Sequence, residues 1–593
     1  MLLCRARRLA LPVLVAPALA LSGGWAMSAT AGSDDSGGGP GHLARGYDEP
    51  YSGFAPARQR WREGAPRDVG LPRGPIDAAL AQLRAYEQNG SPRGGGLYPG
   101  SVAVVGHRGR VIARQASGYA VLYGDASGTP LPESQRVAVT NDTIYDLASV
   151  TKIFTAILLL QEVERGEIDL DERVATYLPE FAAAGKEAVT VRQLLTHTSG
   201  FEPFIPLWKL LPDKDARIAG VLAHPLKRPP GTAYVYSDLN LITLGVLLER
   251  RTGTPLEKLV TRRITEPLGM TDTGYNPPAS RLDRIAATEF DAALGRGIVR
   301  GQVHDENAAS LGGVAGHAGI FSTVDDLSRL AQALLGGGAL EGRRILEPDT
   351  VASMMRHQVP EFPMDDHGLG VELDQAWYMG GLAGPHTAGH TGFTGTSIVI
   401  DVASRSYAIL LTNRVHPARD RGTINPARRA LASGLADALP VRPRAGDTAL
   451  RAGTDDATSA TATLRVPVPE DGARLSFETF VANDVADAFV LERSGDAGAT
   501  WNPVRVTLTE PGRRVSVTGD LGSTRGTRHW QHARADLRPG DQLVRWRHTT
   551  DATTRGRGVY VDGVRVTTAG RVLLDAERDP ALIATDGWTP SAS

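Results

Sequence analysis

The sequence predicts an α+β body whose sheet is closed by its two ends, followed by a separate all-β module. Three observations predict it. Ser101–Val105 and Arg110–Gln115 are β-rich runs around His107-Arg108-Gly109, a hairpin signal, and Thr396–Ile400 with Tyr407–Leu411 forms a second strand pair some three hundred residues later. Between them the apolar residues recur at helical spacing. Beyond about residue 450 the pattern changes to short alternating runs, such as Arg474–Phe480 and Gln542–Arg547, with turn residues between them.

The chain has 593 residues and a mass of 63.0 kDa, too much for one compact core, so at least two domains are expected. Apolar residues make up 41% and charged residues 22%, a globular composition. Sixty-four basic residues stand against 66 acidic ones, so no broad positive field exists to attract nucleic acid.

From the N-terminus, Arg5, Arg7 and Arg8 precede an apolar run from Leu9 to Leu21 and then Ala29-Thr30-Ala31. This reads as a cleaved signal peptide over residues 1–31: the run is too short for a membrane span, and Pro12 and Pro17 interrupt it. A secreted protein, with no membrane attachment after cleavage, is the expectation; the Arg7-Arg8 pair leaves the export route open. Cys4, the sole cysteine, precedes the apolar run, so the mature chain has no thiol and no disulfide or cysteine chemistry. Residues 32–74 are rich in Gly, Ser and Pro and read as linker. Ile76–Tyr86 reads as a helix that begins the folded body, Pro426–Leu439 as the helix that ends it, 441–460 as a second linker, 461–576 as the β module, and 577–593 as a poorly ordered tail.

The chemistry begins at Ser149-Val150-Thr151-Lys152, which opens a long apolar run through Leu160 that stops near Gly166. Residues three apart on a helix share a face, so Lys152 can reach the Ser149 hydroxyl, and the helix N-terminus favours a developing anion. A serine hydroxyl needs a neighbour to take its proton, and burial in an apolar helix is expected to lower the lysine pKa enough for that. Only six of the 64 basic residues are lysine, which makes this placement notable.

Two later segments complete the pattern: Tyr236-Ser237-Asp238-Leu239-Asn240 after Pro230-Gly231-Thr232, and Gly389-His390-Thr391-Gly392 before the Thr396–Ile400 strand. In order and spacing these resemble the S-x-x-K, Y-x-N and K-T-G or H-T-G motifs of the serine β-lactamase and penicillin-binding-protein superfamily. Leu194–Gly200, Val303–Asn307 and Gly312–Gly319 resemble the branch holding class C-like β-lactamases, D-stereospecific peptidases and class VIII esterases. The resemblance covers residues 75–440 and implies an antiparallel sheet flanked by helices with an all-helical subdomain. It also implies an acyl-enzyme on Ser149, Lys152 and Tyr236 as the proton-transfer pair without deciding between them, His390 on the opposite wall, and an oxyanion hole from the N–H groups of Ser149 and Phe393. Asp238, Asn240, Thr391 and Gly392 would contact substrate, and no cofactor or metal is required.

Two departures narrow the reaction. His390 replaces a permanent cation with a group that is largely neutral near pH 7, and Asp238 replaces an amide donor with an acceptor. Both fit a D-amino-acid peptidase acting on peptidoglycan fragments, or an esterase, better than a β-lactamase. Arg414, His416 and Arg419 are the candidates for the missing cation, and a penicillin-binding or wall-binding protein without turnover is the non-enzymatic alternative. His304, Asp305, Glu306 and His317 have metal-ligand chemistry but no standard zinc spacing, and read as polar wall residues, as His197 does. In the C-terminal module Ser494–Trp501 has the form S-x-D-x-G-x-T-W and resembles an Asp-box. With Arg557–Val564 the module resembles the jelly-roll sandwiches of secreted immune-inhibitor-A-type peptidases, where aromatic residues can hold wall polysaccharide; Trp501 and Trp546 read first as core.

Overall fold

A computed structural model describes residues 46–92, 94–522, 528–552 and 554–592, all within one compact unit that runs from Leu43 to Ser593. The segment read as a signal peptide lies outside the described residues. Among the described residues, no helix is long and apolar enough to cross a membrane.

The early hairpin forms as Gly100–His107 and Arg110–Val121, with His107 opposite Arg110. Gly100–His107 pairs antiparallel with Ser406–Thr412, so the two ends of the body meet in mid-sheet as the sequence predicts. The sheet continues outward through Ser397–Asp401 and Thr387–Thr391 to an edge strand, Glu372–Leu373. Both faces are covered. One carries the helices Gly74–Gln88 and Asn425–Ala438; the other meets the helix Val324–Leu335 and the helical subdomain built around Thr151–Glu164 and Asp238–Thr252. Strand residues buried on both faces explain the continuous apolar runs, such as Ser397–Asp401, every residue of which is buried.

The second domain is a two-layer sandwich. Its larger sheet centres on Ala473–Ala482 between Gln531–Leu537 and Gly558–Thr568; the smaller sheet centres on Leu543–Thr549 between Ala488–Ser494 and Ser459–Arg465. Alternating residues fill the space between them, with Trp546 fully buried against Phe477 at a centroid separation of 5.3 Å. The Asp-box hairpin forms as expected: Asp496 accepts hydrogen bonds from the Thr500 N–H (2.9 Å) and hydroxyl (2.6 Å).

Three boundaries differ from the sequence reading. Residues 577–593 are not a loose tail: Ile583–Asp586 pairs with Ser459–Arg465, and Trp588–Ser591 pairs with Ala449–Ala452. That second pairing places a strand inside the expected 441–460 linker. The expected linker 32–74 contributes structure too, since Arg62–Glu63 adds a parallel strand beside Arg110–Val111 and Tyr47 is buried. These strands are short, and their order comes from partners about 50 to 140 residues away.

Tyr47 also marks where the two domains join. It packs with Phe480, Trp530 and Tyr560 of the sandwich in the same apolar cluster as Leu83 and Leu435 of the body. The Arg528 guanidinium crosses the junction to Asp401 at 2.8 Å.

Candidate active site

Ser149 lies in a single tight turn, Ala148–Val150, just before the Thr151–Glu164 helix. Ala148 has φ of 46°, a strained value for a residue with a Cβ. The strain is held by the buried Asp146 carboxylate, which accepts the Ala148 N–H (2.8 Å) and the His304 N–H (2.6 Å). The opposite wall is clamped to the same turn: Thr394 and Thr396 hydroxyls donate to the Asp146 and Leu147 carbonyls. Gly392 completes the close approach, because a Cβ there would lie 2.3 Å from the Leu147 oxygen.

Lys152 is 1% exposed, and its Nζ donates to Ser149 Oγ (2.9 Å), Asp238 Oδ1 (2.8 Å) and the His317 carbonyl (3.2 Å). Three acceptors for an ammonium's three hydrogens leave it fully satisfied. The Tyr236 hydroxyl interacts with both Lys152 and Ser149, and Lys152 Nζ stands 4.8 Å from the Tyr236 ring centroid. Hydroxyl, amine and phenol from distant stretches of chain therefore meet at one point.

The electrostatics correct the sequence expectation for the lysine. Burial acts to lower the Lys152 pKa, but the Asp238 carboxylate and Tyr236 together outweigh it, and the pKa is raised above the ordinary lysine value. Burial pushes Tyr236 up to about 12, with Lys152 pulling the other way. His390 is buried and held down at about 3, first by burial and then by Lys152, so it is neutral; its Nδ1 sits 2.8 Å from the Thr391 carbonyl and donates to it.

Asp238 thus faces Lys152, where the sequence reading had it meet substrate. Asn240 is corrected outright. It is fully buried on the Asp238–Thr252 helix and bonds Ser199 and His197 Nδ1, away from the cleft. His197, at φ 56°, accepts the Ser237 N–H and its ring lies tilted against Tyr236 at a centroid separation of 4.6 Å, so it positions the tyrosine loop. Thr391, Gly392 and Phe393 line a cleft of about 320 Å³ with Ser149, Tyr236 and His390.

Of the three cations considered, Arg414 lines this cleft, with its guanidinium 5.1 Å from the Phe393 ring centroid. Arg419 is paired with Glu289 and Glu306, and His416 is buried, accepting the Tyr123 N–H and facing the Thr288 carbonyl. Two charged lining residues escaped the sequence reading, Arg428 and Glu372. Arg428 is reached only through the packing of Asn425–Ala438 and Glu372 only through edge-strand pairing, so neither carries a local motif.

The metal-capable residues pair with the protein's own groups. His304 bonds Glu289 and His317 bonds Asp305. Asp238, Asp305 and His317 offer ligand atoms within 4.8 Å of one another, but the Lys152 ammonium already occupies Asp238, so the donor set fits a charge network better than a cation.

A mainly antiparallel sheet flanked by helices, with a lysine-paired serine beside its Thr387–Thr391 strand, defines a serine hydrolase of the β-lactamase-like fold. The chain belongs to the Beta-lactamase family, whose family model matches residues 76–433. A protein of Escherichia coli strain K12 named "Putative D-alanyl-D-alanine carboxypeptidase" is 34% identical over 350 residues, 54% of this chain and 79% of its own. A Salmonella enteritidis protein of the same name is 33% identical, covering 60% and 87%. A penicillin-binding-protein homologue from Caulobacter crescentus aligns with a TM-score of 0.48 at 25% identity, covering 61% of this chain and 98% of its own.

Proposed function

We propose that the protein is an exported serine hydrolase that forms an acyl-enzyme on Ser149 and acts as a carboxypeptidase on D-alanyl peptides of the cell-wall type. The observation that carries this reading is the Lys152 ammonium shared between Ser149 Oγ and Asp238, with the Tyr236 hydroxyl beside both. Once the Tyr236–Lys152 pair has lost one proton to solvent, Ser149 Oγ attacks the carbonyl carbon while its own proton passes to that pair. The N–H groups of Ser149 and Phe393 hold the oxyanion. The pair then protonates the departing amine as the C–N bond breaks, and water repeats the sequence to free the acyl group and return the proton to Ser149.

Arg414 supports the choice of a peptide with a free carboxylate, since neutral His390 offers that group no charge. The curated relatives carry the corresponding name. Carboxylic-ester hydrolysis is the second reading. It is favoured by Asp238, which leaves no amide donor at that position for a substrate amide. The signal-like opening supports export, and the sandwich would act at the wall.

Incubation with an Nα-acyl-D-alanyl-D-alanine peptide tests the reading: D-alanine release and a transient acyl adduct on Ser149 by mass spectrometry are expected, both lost in Ser149→Ala. Ester turnover without D-alanine release would select the second reading, and no adduct from any donor would overturn both.

A further inference from the structure

Glu372 lies on the edge strand Glu372–Leu373, opposite Gly389 and so one residue from His390 in the neighbouring strand. It lines the same cleft as Ser149, Tyr236 and His390. Its Oε2 is buried with no hydrogen bond of good geometry, and the donor beside it, the Tyr378 hydroxyl, is neutral and so brings it no charge. A carboxylate charge out of water without a cation beside it is costly, which calls for a partner that arrives with the ligand.

The buried cations nearby are largely committed elsewhere, although the Arg428 Nε has no partner among the described residues. Arg428 Nη2 donates to the Gly392 (2.7 Å) and Thr396 (2.9 Å) carbonyls, and its Nη1 to Asn425 (2.9 Å). The three hydrogens of Lys152 are spent on Ser149, Asp238 and the His317 carbonyl. Beside Glu372 itself, as distinct from the Arg414 side of the cleft, a carboxylate or phosphate would be repelled, and a hydroxyl would leave its charge uncompensated. A compact ammonium supplies both donor and charge, and the rings of Tyr234 and Tyr236, close to the carboxylate and to the cleft, add cation–π attraction.

We propose that Glu372 is an ammonium-accepting subsite of the Ser149 cleft, so that preferred substrates carry a primary amine in addition to the scissile carbonyl. This rests on the hydrolase reading above and extends it to a substrate class.

The charge on Glu372 gives the proposal a pH signature. Burial pushes its pKa up to about 7, opposed by Tyr378, Arg428 and Lys152. Around it, His390 and His367 are held near 3 and 4 by burial, Arg428 near 9, and Tyr234, Tyr236 and Tyr378 are all raised. Between pH 5.5 and 8.5 the carboxyl of Glu372 is therefore the group in this set whose charge changes most: neutral below about 7, anionic above it.

The test uses matched ester pairs on the full chain. One pair is 6-aminohexanoate against hexanoate as p-nitrophenyl esters; the other is the butyrate ester of 3-aminopropanol against that of butanol. At pH 8.5 kcat/KM is expected to favour the amine by about tenfold or more in at least one pair, which corresponds to about 1.4 kcal/mol. The ratio should fall towards unity at pH 5.5, where both amines are still protonated. Glu372→Gln should flatten the ratio at both pH values, and Glu372→Asp should restore part of it. The wild-type pH dependence stands even if a variant fails to fold. Turnover of the neutral esters with a ratio of unity throughout overturns the subsite and leaves the hydrolase reading intact. No turnover of any ester, with Ser149 unlabelled by a phosphonate, overturns both.

Discussion

Two buried ion pairs, one in the cleft and one at the junction of the domains, use similar groups for different ends. Lys152–Asp238 and Arg528–Asp401 are both 2.8 Å long, and both cations are nearly inaccessible. At the junction Asp401 is wholly buried, and Arg528 also donates to the Leu382 and Ala383 carbonyls beside the Tyr47 ring. Nothing there is left to react, and the pair fixes how the sandwich sits on the body. In the cleft Asp238 is about one-fifth exposed, and one of the lysine's three acceptors is a hydroxyl that also faces open space. On the proposed mechanism, what separates a proton-transfer device from a fastener is thus the third contact and its access to substrate. The identity of the charged pair does not decide it.

The largest test of that difference is to remove each cation. Lys152→Met takes away a proton-transfer partner of Ser149 and should lower kcat/KM on the order of 10³-fold, within the range that acid–base groups contribute. Its stability should change little, because water can reach Asp238. Arg528→Met leaves Asp401 buried and unpaired, which costs about 3–5 kcal/mol. Denaturant unfolding should show that loss, while kcat/KM of the folded fraction stays near wild type. Arg528→Met with Asp401→Leu should recover much of the stability. If both single variants lose activity and stability alike, the two pairs are not distinct in kind.

The sequence made the body's fold and the three chain segments of the site legible, because both depend on local signals: the Ser149-x-x-Lys152 spacing at a helix start, the tyrosine loop, and glycines at the Gly389–Gly392 strand end. What it did not reveal depends on distant partners. Asp238 looked like a substrate contact by motif position, yet a buried ammonium with hydrogens to satisfy lies 86 residues earlier in the chain and takes it. Asn240 is one helical step further on and turns inward to His197. The terminal strands Ile583–Asp586 and Trp588–Ser591 are too short and polar to register as strands alone; their pairing partners supply the order.

The finest test concerns the anion of the cleft pair. The Asp238 carboxylate favours the protonated state of both neighbours, since it raises the pKa of Lys152 and that of Tyr236. Asp238→Asn keeps an oxygen acceptor for Lys152 but removes the charge, so both pKa values should fall. The Tyr236–Lys152 pair must lose a proton before it can accept one from Ser149, whichever member carries it. The acid limb of kcat/KM should therefore move to lower pH, by about one unit if the lost interaction is worth about 1.4 kcal/mol. A pH–rate profile on a neutral ester checks this without involving Glu372 recognition. An acid limb that stays in place would mean that Asp238 orients Lys152 without setting its proton affinity, and the cleft pair would then be a fastener like the one at the junction.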